Sequence, residues 1–238
     1  MSVPGIWAEL ADELHGWRQR YAWIPNAPPA PGGRATVAAW AQAFDVDLPM
    51  APSNVATEVS LRLGLQFRAA ESVRDRAAAV RLVRRWKNAN GLGRFEKYYT
   101  GKDEQLARIQ ATAMDLATQL EACGPIDGLA LVHPWLTETH LAGIPVASTL
   151  LAFASNSSSI AIMDRYMAEF WNDTGLVQIS LSGNGVMSTT KQNALAWLSA
   201  QRELEWGLHW LGNRDADRYG LWTVRDLEMA LFQRQLEL

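Results

Sequence analysis

The chain has 238 residues, 48% of them hydrophobic and 20% charged, enough apolar material for one large domain or two small lobes sharing a core. Its net charge of −3 excludes a strongly basic, non-specific nucleic-acid binder, so any such contact has to come from a local patch. The single cysteine, Cys123, excludes a disulfide framework and a cysteine-rich zinc or iron–sulfur site, and it fits a reducing compartment.

The first residues carry Glu9, Asp12 and Glu13 where a secretory signal needs an apolar core. Ile144 to Ala154, one of the longest apolar runs, is too short to span a bilayer. The expectation is a soluble, cytoplasmic protein with no membrane partner. Ile6, Leu10, Leu14 and Trp17 recur at helical spacing and predict a helix over Ile6 to Tyr21. Pro25 to Gly33 is a linker that no helix can cross. Thr36 to Phe44 reads as a short helix, and Ser53 as the N-cap of another that runs to Ala70.

Arg74 to Asn88 reads as a basic amphipathic helix. It turns Ala77, Val80 and Val83 or Trp86 inward and Arg74, Arg81, Arg84, Arg85 and Lys87 outward, and the run Asn90-Gly91-Leu92-Gly93 stops it. Lys102 to Ala122 is a long helix that ends at Gly124-Pro125. Ile126 to Val132 and Pro134 to Leu141 are two short pieces. Pro145 to Ala154 and Ile160 to Trp171 follow as helices, with Ile160 to Met163 able to begin extended. Leu176 to Ser182 alternates apolar and polar residues as a strand does, and Gly183-Asn184-Gly185 is a turn. Thr190 to Leu211 is helical, and Thr223 to Asp226 opens the last helix with a near-capping-box pattern. The fold class is therefore all-α, with at most a small strand element.

Leu141 to Arg165 carries the densest chemistry. A Gly143 turn precedes an apolar helix with Pro145 at its start, and a helix N-terminus of this kind can offer backbone N–H groups to a phosphate. A single carboxylate, Asp164, follows the apolar run Ile160 to Met163. A carboxylate in low-dielectric surroundings stabilises a developing positive charge strongly. The competing structural reading makes the turn an ordinary helix connection, and Asp164 an N-cap or a partner for Arg165.

With Leu141-Ala142-Gly143-Ile144-Pro145 at a hairpin position and Met163-Asp164-Arg165 beyond it, Thr137 to Trp171 resembles the helix-hairpin-helix DNA glycosylases. In that superfamily a hairpin and an apolar helix lead to a catalytic aspartate at a spacing like the one here, 164 − 143 = 21 positions. The resemblance implies a two-lobed helical fold over residues 1–238, with the hairpin and the catalytic segment at 134–171. It also implies a catalytic role for Asp164 and phosphate contacts from Gly143, Ile144, Val146 and Arg165 on double-stranded DNA. Pro145 departs from the hairpin pattern and removes one N–H donor. Val146 and Ala147 stand where members that also cut the strand keep a nucleophilic lysine. What the resemblance implies is therefore a monofunctional glycosylase, monomeric and without cofactor or metal. A narrower likeness is to anti-phage glycosylases that remove glucosylated hydroxymethylcytosine.

Seen beside that resemblance, Arg81, Arg84, Arg85 and Lys87 are candidate phosphate contacts, and the alternative is a solvated helix face. Asn88, Asn90, Tyr98 and Tyr99 combine amides and aromatics as a flipped base requires, and the alternative is aromatics tucked into the core. Gln66 is a candidate wedge for the gap that a flipped base leaves. The four histidines are dispersed, with no metal-ligand spacing. Two other functions stay open: a non-catalytic helix-hairpin-helix DNA-binding module, and a helical protein-interaction domain.

Overall fold

The structure is a computed structural model that describes residues 4–21, 61–62, 64–66, 72–87, 92–139, 141, 143–183 and 185–238. The linker Pro25 to Gly33, the helix expected over Thr36 to Phe44 and the Ser53 N-cap lie outside the described residues, as do Asn88, Asn90 and Asn184. The architecture is all-α, as the sequence periodicity predicts. In chain order the helices are α1 (Pro4–Arg20), α2 (Val73–Lys87), α3 (Leu92–Tyr99), α4 (Asp103–Leu120), α5 (Pro125–Glu138), α6 (Ile144–Ala154), α7 (Arg165–Thr174), α8 (Lys191–Arg214), α9 (Ala216–Tyr219) and α10 (Val224–Glu237). Residues at 61–62 and 64–66 are also helical.

The centre of the molecule is α6. From Ile144 to Ala154 its side chains are buried apart from the partly covered Pro145, as expected of a helix that is apolar all round. On one side it packs on α2 and α4, which also pack on each other. The short helix α3 packs on α4, and the remaining helices assemble around α8 and α10. There α1 lies on α10 and α8, α5 on α8, and α7 on α10, and one continuous hydrophobic core joins both groups. The α1–α10 contact is tied by Arg18 to Asp226 at 2.8 Å and by Arg20 to Glu237 at 2.9 Å. Burial pushes the Asp226 carboxyl up, but the Thr223 hydrogen bonds and Arg18 outweigh it and hold the group below its usual value.

Several boundaries differ from the sequence reading, each for a physical reason. The two pieces expected over Ile126 to Val132 and Pro134 to Leu141 are one helix, α5, which ends at Glu138 and has Pro134 inside it. The proline costs one intrahelical bond, but packing on α8 keeps the turn together. The residues from Leu92 onward, to which the sequence reading assigns no element, are helical. Leu92–Tyr99 is a short helix that buries Phe95 and Tyr99. The last long helix but one runs on to Arg214, with the Thr190 hydroxyl capping it by accepting from the Asn193 N–H at 3.3 Å. The capping box at Thr223 and Asp226 is complete.

The segment expected to be a strand, Leu176 to Ser182, belongs to no named strand. Among the described residues the sheet-like pairing is one antiparallel bridge, Leu181 with Met187. The backbone there pairs with side chains. The Ile179 N–H donates to Asn172 Oδ1 at 2.7 Å and its carbonyl accepts from Asn172 Nδ2 at 3.0 Å. Ser180 makes the same two-bond exchange with the Asn193 amide, at 2.9 and 3.0 Å. Two asparagines thus satisfy the backbone groups that a neighbouring strand would have satisfied.

Gly207 is where α8 admits α1. A Cβ at that position would overlap the ring of Trp7, which is fully buried and packs edge-on to Trp171. Gly207→Ala should therefore destabilise the protein by about 1–3 kcal/mol, the ordinary cost of overpacking a closed core. Chemical denaturation of the two proteins measures this, and an unchanged midpoint would show that the α1–α8 contact yields freely.

Candidate functional site

Asp164 stands at the junction between the core and α7. It is the N-cap of that helix, in extended conformation, and its Oδ1 accepts from the Met167 N–H at 3.1 Å. This is the local role that a carboxylate before Arg165 invites. A negative charge is also favoured there by the helix dipole. Its other oxygen, Oδ2, accepts from Lys87 Nζ at 2.9 Å. Both side chains are well covered, with 10% of Lys87 and 13% of Asp164 exposed. Lys87 is the last residue of α2, so the pair joins the C-terminal end of one helix to the N-terminal end of another. Each charge sits at the helix end whose dipole favours it.

Asp164 is held in place from behind. Residues 159–163 belong to no helix or strand, yet Ile160 to Met163 are buried. Their backbone groups pair with side chains from three helices. The Ala161 N–H donates to Gln201 Oε1 at 2.7 Å, and the Gln201 amide donates back to the Ser159 carbonyl. The Ile162 N–H donates to Glu228 Oε2 at 3.1 Å, and that carboxylate, 2% exposed, is ion-paired with Arg225. The Met163 N–H donates to Ser148 Oγ at 3.0 Å. The Trp197 indole donates to the Ala161 carbonyl at 3.3 Å. The residue before Asp164 is thus fixed to α6, the next to α10 and the one before that to α8.

The Gly143 turn also forms. Gly143 is the N-cap of α6 with φ at +113°, in the region that favours glycine, and Pro145 occupies the first turn. The turn is closed on one side. A Cβ at 143 would lie 2.7 Å from the Met187 carbonyl oxygen, and the side chains of Ile144 and Val146 are fully buried. Gly143, Ile144 and Val146 therefore have only backbone groups to offer, and an acceptor carbonyl stands beside them.

The basic helix departs from expectation. Ala77, Val80 and Val83 do face inward, but so do two of the arginines placed on the outer face. Arg81, 6% exposed, donates to Asp103 at 2.7 Å and lies 3.9 Å from Glu96. Arg84 is fully buried with its guanidinium 5.4 Å from the Phe95 ring centroid, and burial pulls it down to about 10. Both arginines are part of the α2–α3–α4 packing and are withdrawn as phosphate contacts. α3, which the sequence reading missed, explains this, because Phe95, Glu96 and Tyr99 cover that face of α2. The Arg85 side chain lies outside the described residues. Lys87 is turned to Asp164. Arg165 is exposed and pairs with Glu169 at 2.7 Å, and Arg94 and Lys97 are exposed on α3.

Of the residues expected to hold a base, Tyr99 is fully buried and its hydroxyl donates to the Thr139 carbonyl, so it is a core residue. Burial raises its pKa. Tyr98 is 38% exposed with the Lys102 ammonium 3.9 Å above its ring. Asn88 and Asn90 lie outside the described residues. Gln66 donates from its amide to the carbonyls of Phe153 and Ser155, each at 3.0 Å, and so caps the C-terminal end of α6. No group of three or more metal-ligating side chains occurs among the described residues. A groove of about 420 Å³ runs between α4 and α5, lined by Arg108, Ile109, Leu131, Trp135 and Glu138 among others, and Asp164 is not in its lining.

Sequence reasoning thus singled out Asp164 and Gly143 as candidates but missed the residues that hold them. Lys87 is 77 positions from Asp164, and Gln201 and Glu228 lie 40 and 66 positions from the backbone they support. No local spacing announces such partners. No helix among the described residues is long and apolar enough to cross a membrane. Comparison with protein-family models, curated proteins and solved structures gave no match to this chain.

Ser148→Ala should leave the Met163 N–H buried without an acceptor and cost about 1–3 kcal/mol. It should also loosen Asp164. A fall in thermal stability together with faster hydrogen exchange at Met163 is the expected result, and unchanged exchange there would show that another group has taken over the bond.

Proposed function

We propose that the protein is a monofunctional DNA glycosylase that hydrolyses the N-glycosidic bond of a modified base in double-stranded DNA and leaves an abasic site. The observation that carries this reading is Asp164: a single, well-covered carboxylate fixed by its cap bond to Met167 and by the braced segment before it. Cleavage of a glycosidic bond develops positive charge on the sugar ring. A carboxylate fixed beforehand stabilises that charge, or orients the water that attacks it, without reorganising during the reaction. The hairpin-like turn at Gly143, 164 − 143 = 21 positions before it, adds the resemblance set out above.

Lys87 bears on whether the strand is cut. It is the amine held against Asp164, and an ammonium paired with an anion is not a nucleophile. Val146 and Ala147 supply no amine from α6. The reaction proposed therefore ends at the abasic site. The narrower reading, an anti-phage enzyme acting on glucosylated hydroxymethylcytosine, rests on the resemblance alone. Of the phosphate contacts expected from side chains, this reading retains exposed Arg165 and adds exposed Arg94 and Lys97, together with backbone groups at Gly143.

One observation favours a second reading, a non-catalytic helix-hairpin-helix DNA-binding module. Asp164 already has structural work, as the cap of α7 and the partner of Lys87. The substitution Asp164→Asn separates the two readings, because asparagine is as good an N-cap as aspartate but carries no charge. Purified protein is incubated with duplexes carrying damaged, uracil-containing or glucosylated hydroxymethylcytosine bases, then heated in alkali to reveal abasic sites. The wild type should release a base and break the strand only after that treatment. The variant should keep its fold and DNA binding and lose about 100-fold or more in rate. Equal release by both proteins would remove Asp164 from the chemistry, and a borohydride-trapped adduct would overturn the monofunctional assignment.

A further inference from the structure

The two oxygens of Asp164 are not equivalent. Oδ1 is committed to the Met167 N–H within its own helix turn, at 3.1 Å. Oδ2 is committed to Lys87 from another helix, at 2.9 Å. The first contact positions the carboxylate and the second neutralises it. A carboxylate that stabilises a sugar cation has to present net negative charge, and an ammonium 2.9 Å away cancels it and repels the same cation. In the arrangement seen here Asp164 is well placed but electrostatically spent.

We infer that Lys87 is a specificity-determining residue that leaves Asp164 for a phosphodiester oxygen of the bound strand, so that the carboxylate is uncovered only for a sugar inside a nucleic-acid chain and not for a free nucleoside. The inference rests on the glycosylase reading above. Three features make the exchange one-sided. Lys87 is the last residue of α2 and carries its charge on a flexible four-carbon stem, so it can swing without unwinding a helix turn. Asp164 cannot follow, because its other oxygen caps α7 and the preceding residue is tied to Ser148. Lys87 also makes a point-charge contact that a phosphate oxygen can replace, since an ammonium accepts any oxygen geometry within reach. A free nucleoside carries no anion to draw Lys87 away and meets a neutral pair. Each sugar in a strand is flanked by phosphodiesters, and one of these supplies the anion.

The readout is the Lys87 ammonium signal in the intact, isotopically labelled protein, assigned by its disappearance in Lys87→Arg, together with its through-bond correlation to the Asp164 carboxylate carbon. The probes are a duplex holding a tetrahydrofuran abasic-site analogue, which cannot be hydrolysed, and the same duplex with uncharged methylphosphonate linkages flanking the analogue. Binding of each is followed in parallel by fluorescence anisotropy. The phosphodiester duplex should shift the ammonium signal and abolish the Asp164 correlation. The methylphosphonate duplex should bind more weakly and leave the correlation in place. Saturation with the phosphodiester duplex without loss of the correlation would overturn the exchange and leave the glycosylase reading standing. Loss of the correlation with both duplexes would also overturn it, since the displacing group would then not be the flanking anion. No binding of either duplex at low salt would overturn the glycosylase reading itself, and the inference with it.

Discussion

The structure depends on one constraint: a stretch of backbone that is neither helix nor sheet runs through the interior, and every polar group on it needs a partner there. Leaving one N–H of this stretch unpaired would cost about 1–3 kcal/mol. The protein supplies the partners from side chains. Gln201, Glu228 and Ser148, from three different helices, take the N–H groups of three consecutive residues, Ala161 to Met163. These bonds staple α6, α8 and α10 to one strip of chain. The strip ends at Asp164, so a backbone held by three helices delivers a well-covered carboxylate to the start of α7.

The same solution recurs after α7, where the amides of Asn172 and Asn193 each exchange two hydrogen bonds with the backbone at Ile179 and Ser180. An all-α protein can in this way bury non-helical segments without building a sheet. The cost is polar side chains in the core: Asn193 and Glu228 are buried, and the charge of Glu228 is matched by Arg225. Truncating any one of them leaves a buried partner unsatisfied, which costs more than the bond itself contributes. Helix packing around Trp7 and α6 supplies the apolar burial, and these polar bonds fix how the packed parts are aligned.

Charge is handled in the same manner. Arg81 and Arg84 are covered by α3 and tied to acidic or aromatic neighbours, and Lys87 is tied to Asp164. The basic character of α2 therefore serves internal pairing at all three of these positions. The positive charge left in solvent on this part of the chain is that of residues such as Arg74, Arg94 and Lys97. Any contact with a nucleic acid would have to use such exposed residues, because a net charge of −3 supplies no general attraction.

By itself the sequence determined the helical class, the N-terminal helix with its Leu10, Leu14 and Trp17 stripe, the Gly143 turn and the Thr223 capping box. All of these rest on short-range chemistry: periodicity of 3.6, the φ freedom of glycine, and hydroxyls or carboxylates that cap the turn following them. Tertiary structure decided the rest. The alternation in Leu176 to Ser182 marks non-helical backbone correctly, but alternation cannot say whether a strand or two asparagines will pair with it. The arginines of α2 read as a solvated face because nothing local reveals that α3 folds back over them. Asp164 read alone is either a cap or a charge awaiting a substrate. That it is a cap on one oxygen and a lysine partner on the other follows from where α2 ends against α7, a contact 77 residues apart that only the packing of the whole chain creates.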